Sequence, residues 1–98
     1  MPESIPIKLK RAAVILADEL EYSRAADRLR ITSAELRNHV SELENQLCFY
    51  IFIPRRRKVE LTEEGQFLIR AFREAVALHD RIAQARMTEA QEKDEPNH

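Results

Sequence analysis

Residues 22–47 read YSRAADRLRITSAELRNHVSELENQL, and this stretch decides the fold. Thr32-Ser33-Ala34-Glu35 has the S/T-x-x-E pattern of a capping box, in which a threonine and a glutamate satisfy N–H groups that a helix start leaves open. Leu36, Val40, Leu43 and Leu47 follow at spacings of 4, 3 and 4, which places them on one helical stripe. Upstream, Ser23 is placed to cap a short helix over Arg24 to Arg30 that buries Ala25, Ala26 and Leu29. Only Ile31 separates Arg30 from Thr32, so the two helices meet at a tight turn. A short helix, a tight turn and a longer capped helix predict a helix-turn-helix.

The flanks extend this unit. After Pro6, the residues Leu9, Ala12, Ala13, Leu16 and Leu20 recur at helical spacing and predict an amphipathic helix from Ile7 to Leu20. On the other side, Phe49 to Ile53 is aromatic and β-branched, reads as a buried strand, and ends at Pro54. Val59 and Leu61 alternate with Lys58 and Glu60 as a partner strand. The hairpin between them carries Arg55, Arg56, Arg57 and Lys58 in succession. Thr62 then caps a long last helix, with Glu63 and Glu64 set against its N-terminal dipole. The expected fold is mainly α with a small β-hairpin: a winged helix-turn-helix over residues 1–62 and a long linker or dimerisation helix over 63–92, fraying after about Met87. A disordered tail is expected over 93–98.

Composition sets the outer limits. A chain of 98 residues makes one small domain that buries about two-thirds of its unfolded surface. A single glycine argues against a β sandwich or barrel, which needs many glycine-bearing turns. No apolar run approaches the ~20 residues of a membrane span, and no secretion signal opens the chain. The lone Cys48 excludes an internal disulfide and a cysteine-based zinc site, reads as a small packed apolar side chain, and fits a reducing cytoplasm. His39, His79 and His98 lie far apart in different elements, so neither a metal nor a cofactor is expected. There is no glycine-rich phosphate loop and no nucleophile elbow, and the expectation is a protein that is not an enzyme.

The formal net charge of −1 hides an asymmetry. Residues 24–58 carry eight basic and four acidic side chains, a local +4, whereas residues 59–98 carry five basic and nine acidic, a local −4. A basic body can meet phosphate despite a neutral total. With the leucine stripe facing the core, Ala34, Asn38 and Ser41 point away from it and Arg37 flanks them; Glu42, Glu44 and Asn45 join this outer face further along. The face is slim and free of acid at its start, as entry into a major groove requires. Arg37 can donate a bidentate pair to a guanine edge, and Asn38 can bridge an adenine. Ser23, Thr32 and Ser33, with Arg24 beside them, sit where helix N-termini offer free N–H groups to phosphate. Arg55, Arg56, Arg57 and Lys58 would lie on the backbone as a wing.

The run Tyr22-Ser23-Arg24-Ala25-Ala26-Asp27-Arg28-Leu29, then Ile31-Thr32, Leu36, Leu43-Glu44-x-x-Leu47, Ile51-Phe52 and Leu61-Thr62-Glu63-Glu64-Gly65, resembles the N-terminal winged helix-turn-helix of LysR-type transcriptional regulators over roughly Leu16 to Leu68. The resemblance implies DNA-facing sites at Ser23, Ser33, Ala34, Arg37, Asn38 and the wing from Arg55 to Lys58. It also implies subunit pairing through the last helix. The chain departs from the family pattern at Ser33-Ala34 (usually Gln-Pro), Arg37 (usually Ser), Cys48 (usually Gly), Pro54 (usually Arg) and Leu20-Glu21 (usually Gly-Ser). The family's effector-binding domain has no counterpart in these 98 residues, so no small-molecule effector is expected.

In the last helix, Leu68, Ala71, Ala75, Leu78, Ile82 and Ala85 are spaced 3, 4, 3, 4 and 3, a seam of about two and a half heptads, widened by Phe72, Val76 and His79. These features predict a homodimer that binds double-stranded DNA and regulates transcription. The competing reading is a winged-helix interaction module that pairs with another regulator, which the acidic last helix favours.

Overall fold

The computed structural model describes residues 5–94, with side chains placed through Glu89. Four helices and one hairpin follow in the order α1 (Ile7–Glu19), α2 (Tyr22–Leu29), α3 (Ser33–Leu47), β1 (Phe52–Pro54), β2 (Val59–Leu61) and α4 (Glu63–Asp94). The mainly helical winged helix-turn-helix with a long last helix is therefore the observed architecture. Leu9, Leu16, Leu36, Leu43 and Ile51 are its largest fully buried side chains. The paired alanines Ala25 and Ala26 are buried as well, which lets α2 approach its neighbours closely.

Each helix boundary has a local cause. The capping box of α3 is present in both halves. Thr32 Oγ1 accepts the Glu35 N–H at 3.0 Å, and Glu35 Oε1 accepts the Thr32 N–H at 3.1 Å. The Thr32 N–H, joined by the Thr32 hydroxyl, donates to Glu35 Oε1 and holds the Glu35 carboxyl below the usual carboxylate range. The start of α2 differs from expectation. The helix begins at Tyr22 with Glu21 as its N-cap and no side-chain cap bond, so Ser23 lies inside the first turn rather than capping it. Leu20, Arg30 and Cys48 close α1, α2 and α3 in the left-handed region, with φ of 58°, 59° and 63°. Each donates its N–H back to the helix it ends, the bond that terminates a helix at such a residue. Leu20 thus stands just beyond α1 and not within it. Cys48 is exposed, not packed as its apolar character suggested.

The hairpin is shorter and later than the expected strand over 49–53. Glu44 reaches from α3 and accepts the N–H groups of Ile51 (2.7 Å) and Phe52 (3.1 Å), which holds the chain in a turn until Phe52. Phe52 then pairs with Leu61, Ile53 with Glu60 and Pro54 with Val59, antiparallel. Pro54 belongs to the strand instead of following it. The next residue, Arg55, bonds across the hairpin to Lys58 while Val59 turns its N–H outward to Leu20, so the Pro54 position faces away from the ladder and its missing N–H costs no ladder bond. The Val59 N–H donates to the Leu20 carbonyl at 3.0 Å and ties the hairpin to the end of α1.

Thr62 caps α4 as expected: its hydroxyl accepts the Gly65 N–H at 2.9 Å and donates to the Tyr50 carbonyl at 2.8 Å. Gly65 sits hard against the hairpin entry. A Cβ there would lie 2.4 Å from the Ile51 carbonyl oxygen. Ile69, Phe72 and Val76 bury one side of α4. Polar contacts with α1 frame that side: Arg11 makes a bidentate pair with Asp80 (2.9 and 2.7 Å), Arg73 meets Asp18 at 2.7 Å, and the Lys10 ammonium lies 5.8 Å above the Phe72 ring. At 32 residues, α4 is about 48 Å long, and the molecule extends 61 × 28 × 18 Å. The helix runs to Asp94, two residues past its expected end and into the expected tail. The remainder of that tail, 95–98, lies outside the described residues.

Candidate nucleic-acid interface

The start of α2, the start of α3 and the hairpin surround an open groove of about 490 Å³. Ser23, Ser33, Arg37, Arg55, Arg56, Arg57 and Lys58 line it together with Glu21, Tyr22, Pro54 and Val59. The fold thus converges residues from three separate segments of the chain. Ala34, Asn38 and Ser41 are exposed on the outer face of α3, outside the groove lining; Arg24 in α2 and Thr32 before α3 are likewise exposed and outside that lining.

Local hydrogen bonding sorts these residues further. The hydroxyl and N–H of Thr32 are both taken up by Glu35, so Thr32 offers no free N–H to a phosphate; its role is to hold the helix start. Arg24 pairs with Glu21 at 3.0 Å. Arg55 pairs with Glu60 across the hairpin, Nε to Oε2 at 2.9 Å and Nη2 to Oε1 at 3.3 Å; the pair lowers the Glu60 pKa and raises that of Arg55. Arg56, Arg57 and Lys58 are exposed and have no carboxylate partner among the described residues. The four consecutive cations of the hairpin are therefore three unpaired charges and one balanced charge.

Arg37 lies over the Tyr22 ring, its guanidinium carbon 4.2 Å from the ring centroid, a cation–π distance. Burial pushes the Tyr22 phenol pKa up, and the nearby Arg37 charge partly opposes that. Sequence reasoning missed Tyr22 as a support for Arg37, Glu60 as the partner of Arg55, and Glu44 as the anchor of the hairpin. The only available signal was the position of Tyr22 and Glu44 within the motifs quoted above. Spacing puts Glu44 on the outer face of α3, but its carboxylate turns back toward Ile51 and Phe52.

The residues expected to form a pairing seam divide into three groups, and Val76, expected to widen it, is buried in the core. Ala71, Leu78, His79, Ile82 and Ala85 are exposed, and Leu68 and Ala75 are half-buried. Phe72 is buried in the domain's own core, with 6% exposure, and is already covered within the chain. Among the described residues, no three His, Cys, Asp or Glu side chains gather to hold a metal, and no helix is long and apolar enough to cross a membrane.

Comparison with known proteins agrees with this architecture. The profile of the "bacterial regulatory helix-turn-helix protein, lysR family" matches residues 7–66. The HTH-type transcriptional regulator XapR of Escherichia coli K12 is 43% identical over 63 residues, which cover 64% of this chain and 21% of XapR. The HTH-type transcriptional activator AmpR of Citrobacter freundii is 37% identical over 65 residues, 66% of this chain and 22% of AmpR. The chain thus spans about a fifth of the length of these curated relatives. Among solved structures, a full-length OxyR variant from Pseudomonas aeruginosa superposes with a TM-score of 0.80 at 25% identity, over 85% of this chain and 28% of OxyR. The BenM DNA-binding domain in complex with catB site 1 DNA shares the fold, with a TM-score of 0.79 at 24% identity, over 87% of this chain and 96% of that one. The matched profile covers more than half of the residues and includes the turn, the capped third helix and the hairpin. The chain belongs to the bacterial regulatory helix-turn-helix proteins of the lysR family.

Proposed function

We propose that this protein binds double-stranded DNA in the cytoplasm as a transcriptional regulator, and that it does so as a homodimer joined along α4. The observation that carries the reading is the groove itself. Three unpaired wing cations face the start of α3 across it, and the slim, acid-free face of Ala34, Asn38 and Ser41 stands beside it. A helix presenting such a face fits a major groove, and the cations fit the flanking phosphates. Asn38 is the base-reading donor of that face, suited to an adenine edge. The CbnR and BenM DNA-binding domains, which share this fold, are seen in complexes with DNA.

Support for pairing comes from the part of α4 that no described residue covers. Leu78 and Ile82 are 50% and 48% exposed. A helix of this length gains little stability in water without a packing partner. The small Ala71, Ala75 and Ala85 allow a second helix to come close. An identical helix is the simplest partner because a two-fold interface uses the same surface twice.

The test is a mobility shift of the wild-type chain with random duplex DNA across a salt series, paired with sedimentation of the Leu78→Asp, Ile82→Asp double variant. Salt-sensitive binding, a dimeric wild type and a monomeric, weakly binding variant are expected. No shift at low salt would refute the DNA reading, and a monomeric wild type would refute the dimer. A second reading, pairing with another regulator, draws on the balancing of Arg24 by Glu21 and of Arg55 by Glu60, which leaves fewer cations for DNA. A chain that fails to shift DNA and yet forms a mixed dimer with a related regulator would favour it.

A further inference from the structure

Arg37 does not stand out from α3 as a free base reader. Its side chain lies over the Tyr22 ring at 4.2 Å and lines the groove with Ser23, Arg56, Arg57 and Lys58. We propose that Arg37, braced on Tyr22, is a phosphate clamp: it closes the groove between α2, α3 and the wing around one backbone phosphate, and base reading is left to the outer face of α3. The inference rests on the DNA-binding reading above and deepens it.

The geometry supports this in three ways. First, the guanidinium lies over the Tyr22 ring and makes no hydrogen bond among the described residues, so its forked N–H groups are free for a two-pronged grip on a phosphate. Second, no carboxylate competes for Arg37. Among the described residues it has no ion pair, and the nearby acids are engaged elsewhere: Glu44 Oε2 by the Ile51 and Phe52 N–H groups, and Glu21, which lines the same groove, by Arg24. Third, the other cations on the groove wall belong to the wing, so charge converges on a point between elements rather than on the outer face of α3. A ring that fixes the long arginine side chain beforehand also removes part of the ordering cost of binding. Tyr22 is thus a positioning residue, acting only through Arg37.

The experiment measures affinity and salt slope for wild type, Arg37→Ala, Tyr22→Leu, Tyr22→Phe and the Tyr22→Leu, Arg37→Ala pair. Each is tested on a random duplex and on a duplex selected from a random pool by the wild type. Arg37→Ala should weaken both duplexes about tenfold and alike, and should reduce the salt slope by up to ~0.9 per subunit. Tyr22→Leu should weaken binding about two- to fivefold when Arg37 is present and have no effect when Arg37 is absent. Tyr22→Phe should keep wild-type affinity because the ring remains. Thermal melting of every variant separates these effects from misfolding.

Loss confined to the selected duplex would make Arg37 a base reader and overturn the proposal. So would a Tyr22→Leu loss of equal size in both backgrounds, which would mark Tyr22 as merely structural. A wild type that binds neither duplex would fail the DNA-binding reading itself, an outcome distinct from either of these.

Discussion

Replacing Gly65 with alanine sets two effects of opposite sign against each other. In a helix interior alanine is favoured over glycine by up to about 1 kcal/mol, an upper bound for Gly65 in the first turn of α4. Here the new methyl group would lie 2.4 Å from the Ile51 carbonyl oxygen and 2.9 Å from Thr62 Oγ1. The carbonyl is backbone and is held in place. It accepts the Thr62 N–H at 2.9 Å and the Thr62 hydroxyl at 3.2 Å. Relief therefore requires the start of α4 to move away from the hairpin entry, weakening both bonds and the cap on Gly65. Overpacking of this kind costs about 1–3 kcal/mol, and each weakened hydrogen bond adds up to about 1 kcal/mol. After subtracting the gain in helix propensity, Gly65→Ala should destabilise the protein by about 2 kcal/mol, a fall of about 10 °C in Tm for a domain of this size. Urea and thermal unfolding followed by circular dichroism measure it directly. A variant as stable as the wild type would show that α4 is not pressed against Ile51, and the account of how Thr62 and Gly65 seat the last helix would be wrong.

Other substitutions test other parts of the structure. Cys48→Gly should stabilise the chain by about 1 kcal/mol, because an exposed residue with φ of 63° carries a strain that glycine lacks; a urea midpoint unchanged or lowered would contradict this. Replacing Arg56, Arg57 and Lys58 with alanine should weaken binding to all duplexes alike and lower the salt slope by ~0.9 for each phosphate that the wing ceases to neutralise. Arg55→Ala should change that slope less, since Glu60 already balances its charge. Acid should loosen the contact between α1 and α4 in a defined window. Arg11 holds the Asp80 carboxyl at about 2, below its ordinary 3.8. A depressed carboxyl contributes stability that is complete above its ordinary value and is lost as pH falls from 3.8 toward 2. Melting curves over that range should fall less steeply for Asp80→Asn than for the wild type.

Much of the architecture was legible because its causes are local. The capping box at Thr32, the leucine stripe of α3 and the hairpin flanked by alternating residues need no knowledge of distant contacts. What escaped depends on the third dimension. The strand begins at Phe52 because a carboxylate seven residues back takes the Ile51 N–H, a bond no periodicity encodes. Phe72 lies beside the heptad seam in the sequence, yet it faces inward. α4 is apolar over more than half its girth, and only the position of α1 decides which part is covered first. Arg37 sits on the helix where its spacing put it, but its direction is set by a tyrosine fifteen positions earlier. Ser23 has the residue type of a cap, whereas α2 starts two residues sooner than expected, without any side-chain cap.

The contact between Arg11 and Asp80 joins residues 69 positions apart, and it bears on the order of assembly. The first three helices are neighbours along the chain and can collapse together early. The seam between α1 and α4 must close a loop that spans most of the molecule, and contacts of that kind form late. Until it closes, the side of α1 that meets Ile69, Phe72 and Val76 remains wet. Weakening this seam, as with Phe72→Ala, should therefore hasten unfolding far more than it slows folding. The outer side of α4 is fixed in direction only once its inner side has docked. The exposed stripe of Leu78 and Ile82 is then oriented only in chains whose interior is already sealed, so the fold sets an order between closing the core and presenting that stripe.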